Sequence, residues 1–398
     1  MNSVAIGTPN LTIENGLWTL SAELHVGGTT GVVWFRTEAG PLACGPEPFL
    51  AAALLPASRL GAPLRVHEPV SPRLLSNLPR ILDVFHSWDR RYHQIPVVAP
   101  AGTPTERASP ATACFFSGGV DSFYTLLKHQ HDIETIIFIH GFDIDLENVR
   151  FRGRVSHKMR DVATSLGKTL IEVETNVKRF GEPHVSWEDY HGAALASVGL
   201  ALAPHCAKIY VAASRSYADL SPWGSHPIVD PLWSTESVAI VHDGCEATRL
   251  QKTRRVVDSS VVRRTLRVCW EGPNGEYNCG RCRKCLFAKA RLRAVGALGR
   301  VHTFDADLDL RALERLPLDN PPVETTDLYQ HVVRAGTDPA LARALRRYLD
   351  ERHYRGIRGL ARRAAGAIRH RVLSRVRRHS SPRSTERPPG RLSVARTP

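Results

Sequence analysis

The chain has no apolar run near the roughly 20 residues that a bilayer-spanning helix needs. Its first residues also lack the charged-then-apolar order of a secretory signal, so a cytoplasmic location is expected. It has no G-x-x-x-x-G-K-[ST], and no lysine follows the glycine pair Gly118-Gly119. That excludes the common P-loop, which splits ATP between its β and γ phosphates. Lysine is missing from Leu341 to the end, and Tyr348 and Tyr354 are the only aromatics there, so the tail has few rings on which bases could stack. Cysteine is sparse as well. Only eight occur, and four of them crowd into one short stretch, which fits a reducing compartment better than a disulfide scaffold.

Against these absences stands Ser117-Gly118-Gly119-Val120-Asp121-Ser122, which follows the β-like run Cys114-Phe115-Phe116 and precedes the helix-like run Phe123 to Lys128. Two adjacent glycines let the backbone turn sharply and approach a ligand, and the following helix N-terminus offers free N–H groups and a positive dipole end. Such a turn suits pyrophosphate. An aspartate there cannot attract phosphate by charge, so Asp121 is assigned a Mg2+ ion that bridges phosphate oxygens, with Ser117 and Ser122 as hydroxyl donors.

A second constellation is Cys269, Cys279, Cys282 and Cys285, spaced C-x9-C-G-x-C-x2-C. Four thiolates at this spacing can close a tetrahedral cage around Zn2+; an iron–sulfur cluster is the competing reading and disulfides the poorest. With every position filled by protein, the zinc would be structural. Arg281, Arg283, Lys284 and Lys289 are placed to offset the thiolate charge. The other thiols, Cys44, Cys114, Cys206 and Cys245, read as small buried apolar residues, with Cys245 the exception to watch.

The Ser117–Ser122 signature resembles that of the PP-loop ATP pyrophosphatases, the adenine nucleotide alpha-hydrolase superfamily. Together with the cysteine cluster, over about residues 112–299, the chain is similar to the cyanodeazaguanine synthase family of the queuosine pathway. His242-Asp243 through Cys269 and Phe287 to Arg291 are further points of likeness. The resemblance implies ATP bound by Ser117, Gly118, Gly119, Val120, Asp121 and Ser122, attack by a substrate oxygen on the α phosphorus, and release of pyrophosphate and then AMP. It implies a C–N ligase that adenylates a carboxylate or amide oxygen of a small molecule and installs a nitrogen nucleophile. The chain departs from the family where a Gly-Tyr-Pro-Asp-Cys-Arg loop is usual. Here Ser221 to Pro231 stands instead, so the substrate is expected to differ, with His226 and Asp230 as contacts. His140, Gly141 and Asp143, just beyond an apolar strand, are nucleotide contacts by position. His191 is read as opening a helix.

The frame is expected to be an α/β doubly wound parallel sheet like that of the adenine nucleotide alpha-hydrolases. Strands are read at Thr112 to Phe116, Thr135 to Ile139, Thr169 to Val173 and Ile209 to Ala213, and a helix through Phe151, Val155, Met159, Val162 and Leu166 that Gly167 stops. Residues 1–95 read as a small α+β unit. Strict alternation from Leu17 to Val26 leads through glycines into a second strand at Val32 to Phe35, and Ser71-Pro72 caps a helix ending near Trp88. Residues 96–110 are a linker, 111–300 the PP-loop domain and 301–340 a connection. Residues 341–398 carry 17 Arg against 3 acidic residues, an amphipathic helix with a disordered end that suits RNA, an anionic membrane surface or an acidic partner, or else docks on its own domain. Two other function classes stay open: sulfur transfer to tRNA or a small molecule, for which Cys245 is the candidate thiol, and non-catalytic nucleotide binding. The oligomeric state is not legible.

Overall fold

The protein is described by a computed structural model covering residues 3–103, 110–270, 272, 275–305, 307–317 and 323–350. Strands β1 to β11 are Val4–Ile6, Asn10–Glu14, Leu17–Val26, Thr29–Thr37, Leu64–Val66, Val97–Val98, Thr112–Phe115, Thr135–His140, Thr169–Thr175, Lys208–Ala212 and Ala239–Asp243. Helices α1 to α12 are Glu47–Leu60, Pro72–Trp88, Val120–Lys128, Val149–Leu166, Val177–Gly181, Trp187–Ala201, Arg249–Val256, Ser260–Thr265, Arg283–Ala294, Leu310–Glu314, Val323–Ala335 and Pro339–Asp350.

The last five strands are parallel and lie in the order β11-β10-β7-β8-β9. Chain order reverses between β7 and β10, which makes their carboxyl ends the crevice where open parallel sheets take ligands. Burial on both faces explains the continuous apolar runs. In β8, Ile136 and Phe138 enter a core with Phe123, Phe151, Val155 and Met159 of α3 and α4. Ile137 and Ile139 enter the opposite core with Tyr190 and Ala193 of α6 and Phe49 of α1. The expected stop at Gly167 is present, at φ 62°.

The first 95 residues do not stand apart from this sheet. β4 pairs antiparallel with β9, Phe35 opposite Thr175 and Arg36 opposite Glu174, and the sheet runs on through β3, β1, β5 and β6. The hairpin β3–β4 and the Ser71 cap, whose Oγ accepts from the Leu74 N–H at 3.1 Å, fall where the sequence put them. Within the expected linker, β6 is a paired strand.

A third core gathers Phe287 and Ala290 of α9, Leu328 and Val332 of α11, and Leu341, Leu345 and Tyr348 of α12. The described start of the Arg-rich segment therefore spends its apolar stripe on the protein's own helices; residues 351–398 lie outside the described residues. No helix among the described residues is long and apolar enough to cross a membrane.

One glycine decides how the Ser221–Pro231 loop is seated. A Cβ on Gly192 of α6 would lie 2.0 Å from the Gly224 carbonyl oxygen, so helix and loop backbones touch. Gly→Ala inside a helix ordinarily stabilises by about 1 kcal/mol. Gly192→Ala should reverse that sign and cost about 1–3 kcal/mol, because backbone must move. A thermal melt showing an unchanged or raised midpoint would contradict this packing.

Candidate functional site

The glycine-rich turn sits at the carboxyl end of β7. Gly118 has φ 77°, a conformation that favours glycine, and a Cβ there would lie 3.0 Å from Met159 Cε. Gly119 is extended and is the N-cap of α3. The Ser122 hydroxyl donates to the Gly119 carbonyl at 3.1 Å, and Ser117 Oγ lies 3.5 Å from Ser122 Oγ. Ser117 is exposed while Val120 and Ser122 are buried, so among the side chains of the turn Ser117 is the one offered outward.

Asp121 does not face outward as a free metal ligand. Its Oδ2 accepts from Arg249 Nη2 at 3.0 Å, and its Oδ1 lies 3.4 Å from Lys252 Nζ. Burial opposes its charge, yet Arg249 first and Lys252 next hold its carboxyl below the usual range. Both oxygens are engaged by cations, so Asp121 stands in ion pairs here rather than open toward the Mg2+ read from the sequence. The carboxylate instead anchors two cations beside the turn.

Further cations converge. The Arg267 N–H donates to the Gly118 carbonyl at 2.8 Å, and its Nη1 lies 3.2 Å from the Ser117 carbonyl and 3.6 Å from Asp143. Its Nε and Nη2 are buried without a hydrogen-bond partner among the described residues. Lys284, on the rim, stacks over Trp270 at 3.6 Å. Desolvation and the nearby Arg249 and Arg267 push its pKa down, while Asp143 and Asp121 partly offset them. Glu324 of α11 bridges Arg249 at 3.0 Å and Arg291 at 2.7 Å. Five cations thus meet three carboxylates, leaving a positive crevice with unsatisfied guanidinium donors. Such donors, planar and fixed, match phosphate oxygens.

The other residues singled out from sequence are scattered around this crevice. His140 is buried beneath α4, its Nε2 2.9 Å from Glu172 and its Nδ1 without a partner among the described residues. Gly141 is a tight turn at φ 97°, where a Cβ would lie 2.0 Å from the Thr175 carbonyl oxygen. Asp143 does reach the crevice, through Arg267. His191 lies one turn inside α6 rather than opening it: its Nδ1 contacts the Trp187 carbonyl at 3.1 Å and its Nε2 accepts from the Ser225 N–H at 3.2 Å. His226 packs edge-on against Trp88 of α2 at 5.2 Å. Asp230 is buried and holds His242 Nδ1 at 2.7 Å. His226 and Asp230 are therefore wall and support rather than a projecting contact pair.

The four cysteines do come together. Their sulfurs all lie within 4.8 Å of one another, with Cys269 to Cys282 at 3.8 Å and Cys279 to Cys285 at 3.9 Å. Sulfurs about 2.3 Å from one tetrahedral ion sit about 3.8 Å apart, so the cage is sized for a single ion such as zinc rather than for a cluster of irons and sulfides. Asn278 Oδ1 accepts from the Val268 and Cys269 N–H groups, and the Cys282 N–H points to Cys279 Sγ at 3.3 Å. The basic residues expected to balance the cage have other engagements. Arg281 pairs with Glu276, Arg283 reaches Tyr348, and Lys289 bonds the Asp307 carbonyl.

A scan against protein-family models and searches of curated proteins and of solved structures return no match to this chain. Sequence reasoning missed the cations. Arg249, Lys252 and Arg267 lie far from the turn along the chain and nothing local marks them, while Lys284 reads from sequence as a neighbour of the cysteine cage. Only the start of α7 carries a signal, the Thr248/Gln251 capping box that fixes its first turn.

Two outcomes test this geometry. Cys282→Ser, or chelation of the native protein, should remove one metal equivalent and lower the melting temperature, read by elemental analysis and calorimetry together; full stability with no bound metal would contradict a structural cage. The second concerns pH. Burial opposes charge on His242, but its hydrogen bond to the Asp230 carboxylate raises its pKa from 6.5 to about 9. A raised folded-state pKa contributes stability that is complete below about 6.5 and lost as pH climbs through 9, worth at most ~3 kcal/mol. Denaturant midpoints should fall across that window in the native protein and fall less in His242→Gln.

Proposed function

We propose that the protein is an ATP-dependent ligase of the PP-loop kind, which adenylates a carboxylate or amide oxygen of a small molecule, releases pyrophosphate and passes the activated group to a nitrogen nucleophile. The observation that carries this reading is the Arg267 guanidinium. It is buried, two of its three nitrogens lack partners among the described residues, and its backbone is bonded to the glycine turn at Gly118. Buried guanidinium donors left without partners carry a desolvation penalty that a further anion would offset. The Gly118-Gly119 turn, the α3 N-terminus and the flanking Arg249 and Lys252 suit that anion to a polyphosphate.

In this reading the substrate oxygen attacks the α phosphorus while the β and γ phosphates lie against the turn. Charge that develops on the departing pyrophosphate is met by fixed N–H groups and guanidinium donors, which need no reorganisation at the moment of reaction. Asp121 acts as a positioning residue, holding Arg249 and Lys252 at the mouth of the turn. Asp143, opposed to Arg267, keeps that guanidinium oriented when phosphate is absent. The queuosine-pathway resemblance supports a carboxylate converted through an amide, and the different Ser221–Pro231 loop supports an acid other than carboxydeazaguanine.

Calorimetric titration with α,β-methylene-ATP should show binding to the native protein and about 10–100-fold weaker binding to Arg267→Gln, the loss of one charge-assisted contact pair. With Mg-ATP, ammonium and a cognate acid, AMP and pyrophosphate should form, and Asp121→Asn should abolish them while leaving the metal content unchanged. No binding by the native protein, or ADP and phosphate as products, would overturn the reading.

A further inference from the structure

On the α6 side of the crevice, a path of rings runs outside the cation cluster. Phe142, just beyond β8, packs edge-on against Trp187 of α6 at 5.0 Å. Trp187 lies 6.1 Å from His191, and His191 meets Trp223 edge-on at 5.4 Å. Arg215 closes the path, its guanidinium 5.2 Å over the Trp223 ring. Both ends of the path are covalent neighbours of groups placed at the crevice. Phe142 precedes Asp143, which faces Arg267 at 3.6 Å, and Arg215 follows Ser214, whose carbonyl accepts from Arg249 at 2.9 Å.

Arg215 is untied where its neighbours are not. Arg249, Lys252 and Arg267 each face a carboxylate, whereas Arg215 makes no hydrogen bond or ion pair among the described residues, and the contact that orients its guanidinium is the Trp223 ring. A guanidinium stacked on a ring keeps its fork of N–H donors free for a planar anion. The carbonyl of Ser214 points to Arg249, while the next side chain lies over Trp223, against α6. The fork therefore stands apart from the cations suited to polyphosphate. Tyr217, two residues on, is 65% exposed, and its N–H donates to the Cys245 carbonyl at 2.7 Å, which pins this segment to the turn after β11. Exposed and half-buried rings beside one free, aimed cation are the parts of a site for an apolar body with an anionic end.

We propose that Arg215 is a specificity-determining residue and that the acid it selects carries two anionic groups: a carboxylate presented to the α phosphorus, and a second group, carboxylate or phosphate, paired with the Arg215 fork while the body between them lies along Trp223 and Tyr217. This rests on the adenylating reading above. The reacting carboxylate is not the partner of Arg215. An oxygen that attacks phosphorus gives up its charge as it does so, and a guanidinium gripping both oxygens would stabilise the ground state more than the transition state. A second anion at the far end carries no such penalty. Its pairing is the same before and after the attack, so the binding energy made there serves to hold the first carboxylate in line.

Calorimetric titration of the full, metal-loaded chain in the presence of α,β-methylene-ATP, against benzoate, isophthalate and 3-phosphonobenzoate, tests the site. The two dianions should bind at least about tenfold more tightly than benzoate, the gain from one charge-assisted bidentate pair, and the tighter of the two identifies the second group as carboxylate or phosphate. Arg215→Gln should bring the dianions down to the affinity of benzoate. Arg215→Lys, a point charge without the fork, should keep only part of the preference, and it carries the test if the melting midpoint shows Arg215→Gln unfolded. Equal affinity of the native protein for benzoate and the dianions, a preference that survives Arg215→Gln, or no binding of any of these acids at millimolar concentration overturns the proposal. A native protein that binds α,β-methylene-ATP but treats the acids alike overturns this site and leaves the adenylating reading standing. One that binds no α,β-methylene-ATP yet prefers the dianions through Arg215 overturns the adenylating reading and leaves the anion site standing.

Discussion

Positive charge gathered in one place is the constraint on which the rest of this structure depends. Two unit charges about 6 Å apart repel by roughly 3 kcal/mol at an effective dielectric near 20, so five cations around one turn would disperse unless they were tied down. The ties are specific. Asp121 takes Arg249 and Lys252, Glu324 takes Arg249 and Arg291, and Asp143 opposes Arg267. Arg267 is further fixed by its own backbone, bonded to Gly118, and by the cysteine cage that begins two residues later at Cys269. A metal in that cage, with four thiol ligands from the protein, would be structural. It would hold the ends of the segment carrying Arg267 and Lys284, so that repulsion cannot open the crevice.

The sheet supplies the place for this charge. Strand order reverses between β7 and β10, so no helix crosses over their shared carboxyl edge, and the loops leaving β7, β8, β10 and β11 diverge around a gap. The turn after β7 brings Asp121, the loop after β8 brings Asp143, and Ala213 and Ser214 beyond β10 accept Lys252 and Arg249 through their carbonyls. The cations gather on one side of this gap and the His242–Asp230 pair lies on the other.

What the sequence made legible was whatever short-range chemistry dictates. Ser117 to Ser122 could be placed between strand and helix because glycines and a following helix leave a local mark, and the four cysteines could be grouped because ligand spacing is a local pattern. The Ser71 cap and the alternation from Leu17 to Val26 were readable for the same reason. The role of Asp121 was not: charge alone suggested a metal, whereas its partners Arg249 and Lys252 lie on a helix far along the chain. The pairing of β4 with β9 was equally hidden, since an edge strand carries no sign of which distant edge it will meet. Helix α1 was overlooked because Pro56 breaks the expected pattern, although its residues from Pro48 to Ser58 are buried.

That hidden pairing bears on specificity. The N-terminal unit does more than extend the sheet; it forms the mould for the Ser221–Pro231 loop and the turn after it. Asn77 Nδ2 donates to the Leu232 carbonyl at 3.0 Å, Ser71 bonds Glu236, Trp88 packs on His226, and Tyr92 donates to Asp189 at 2.8 Å at the start of α6. Gly192 and Gly224 let the loop lie directly on that helix, while Ser225 hands a hydrogen bond to His191 and another to Asp230. A loop gripped from both sides cannot be exchanged for another without losing these partners. The Ser221–Pro231 loop and residues 1–95 are therefore one packed unit: the N-terminal unit fixes the loop, and the loop in turn holds His242 through Asp230.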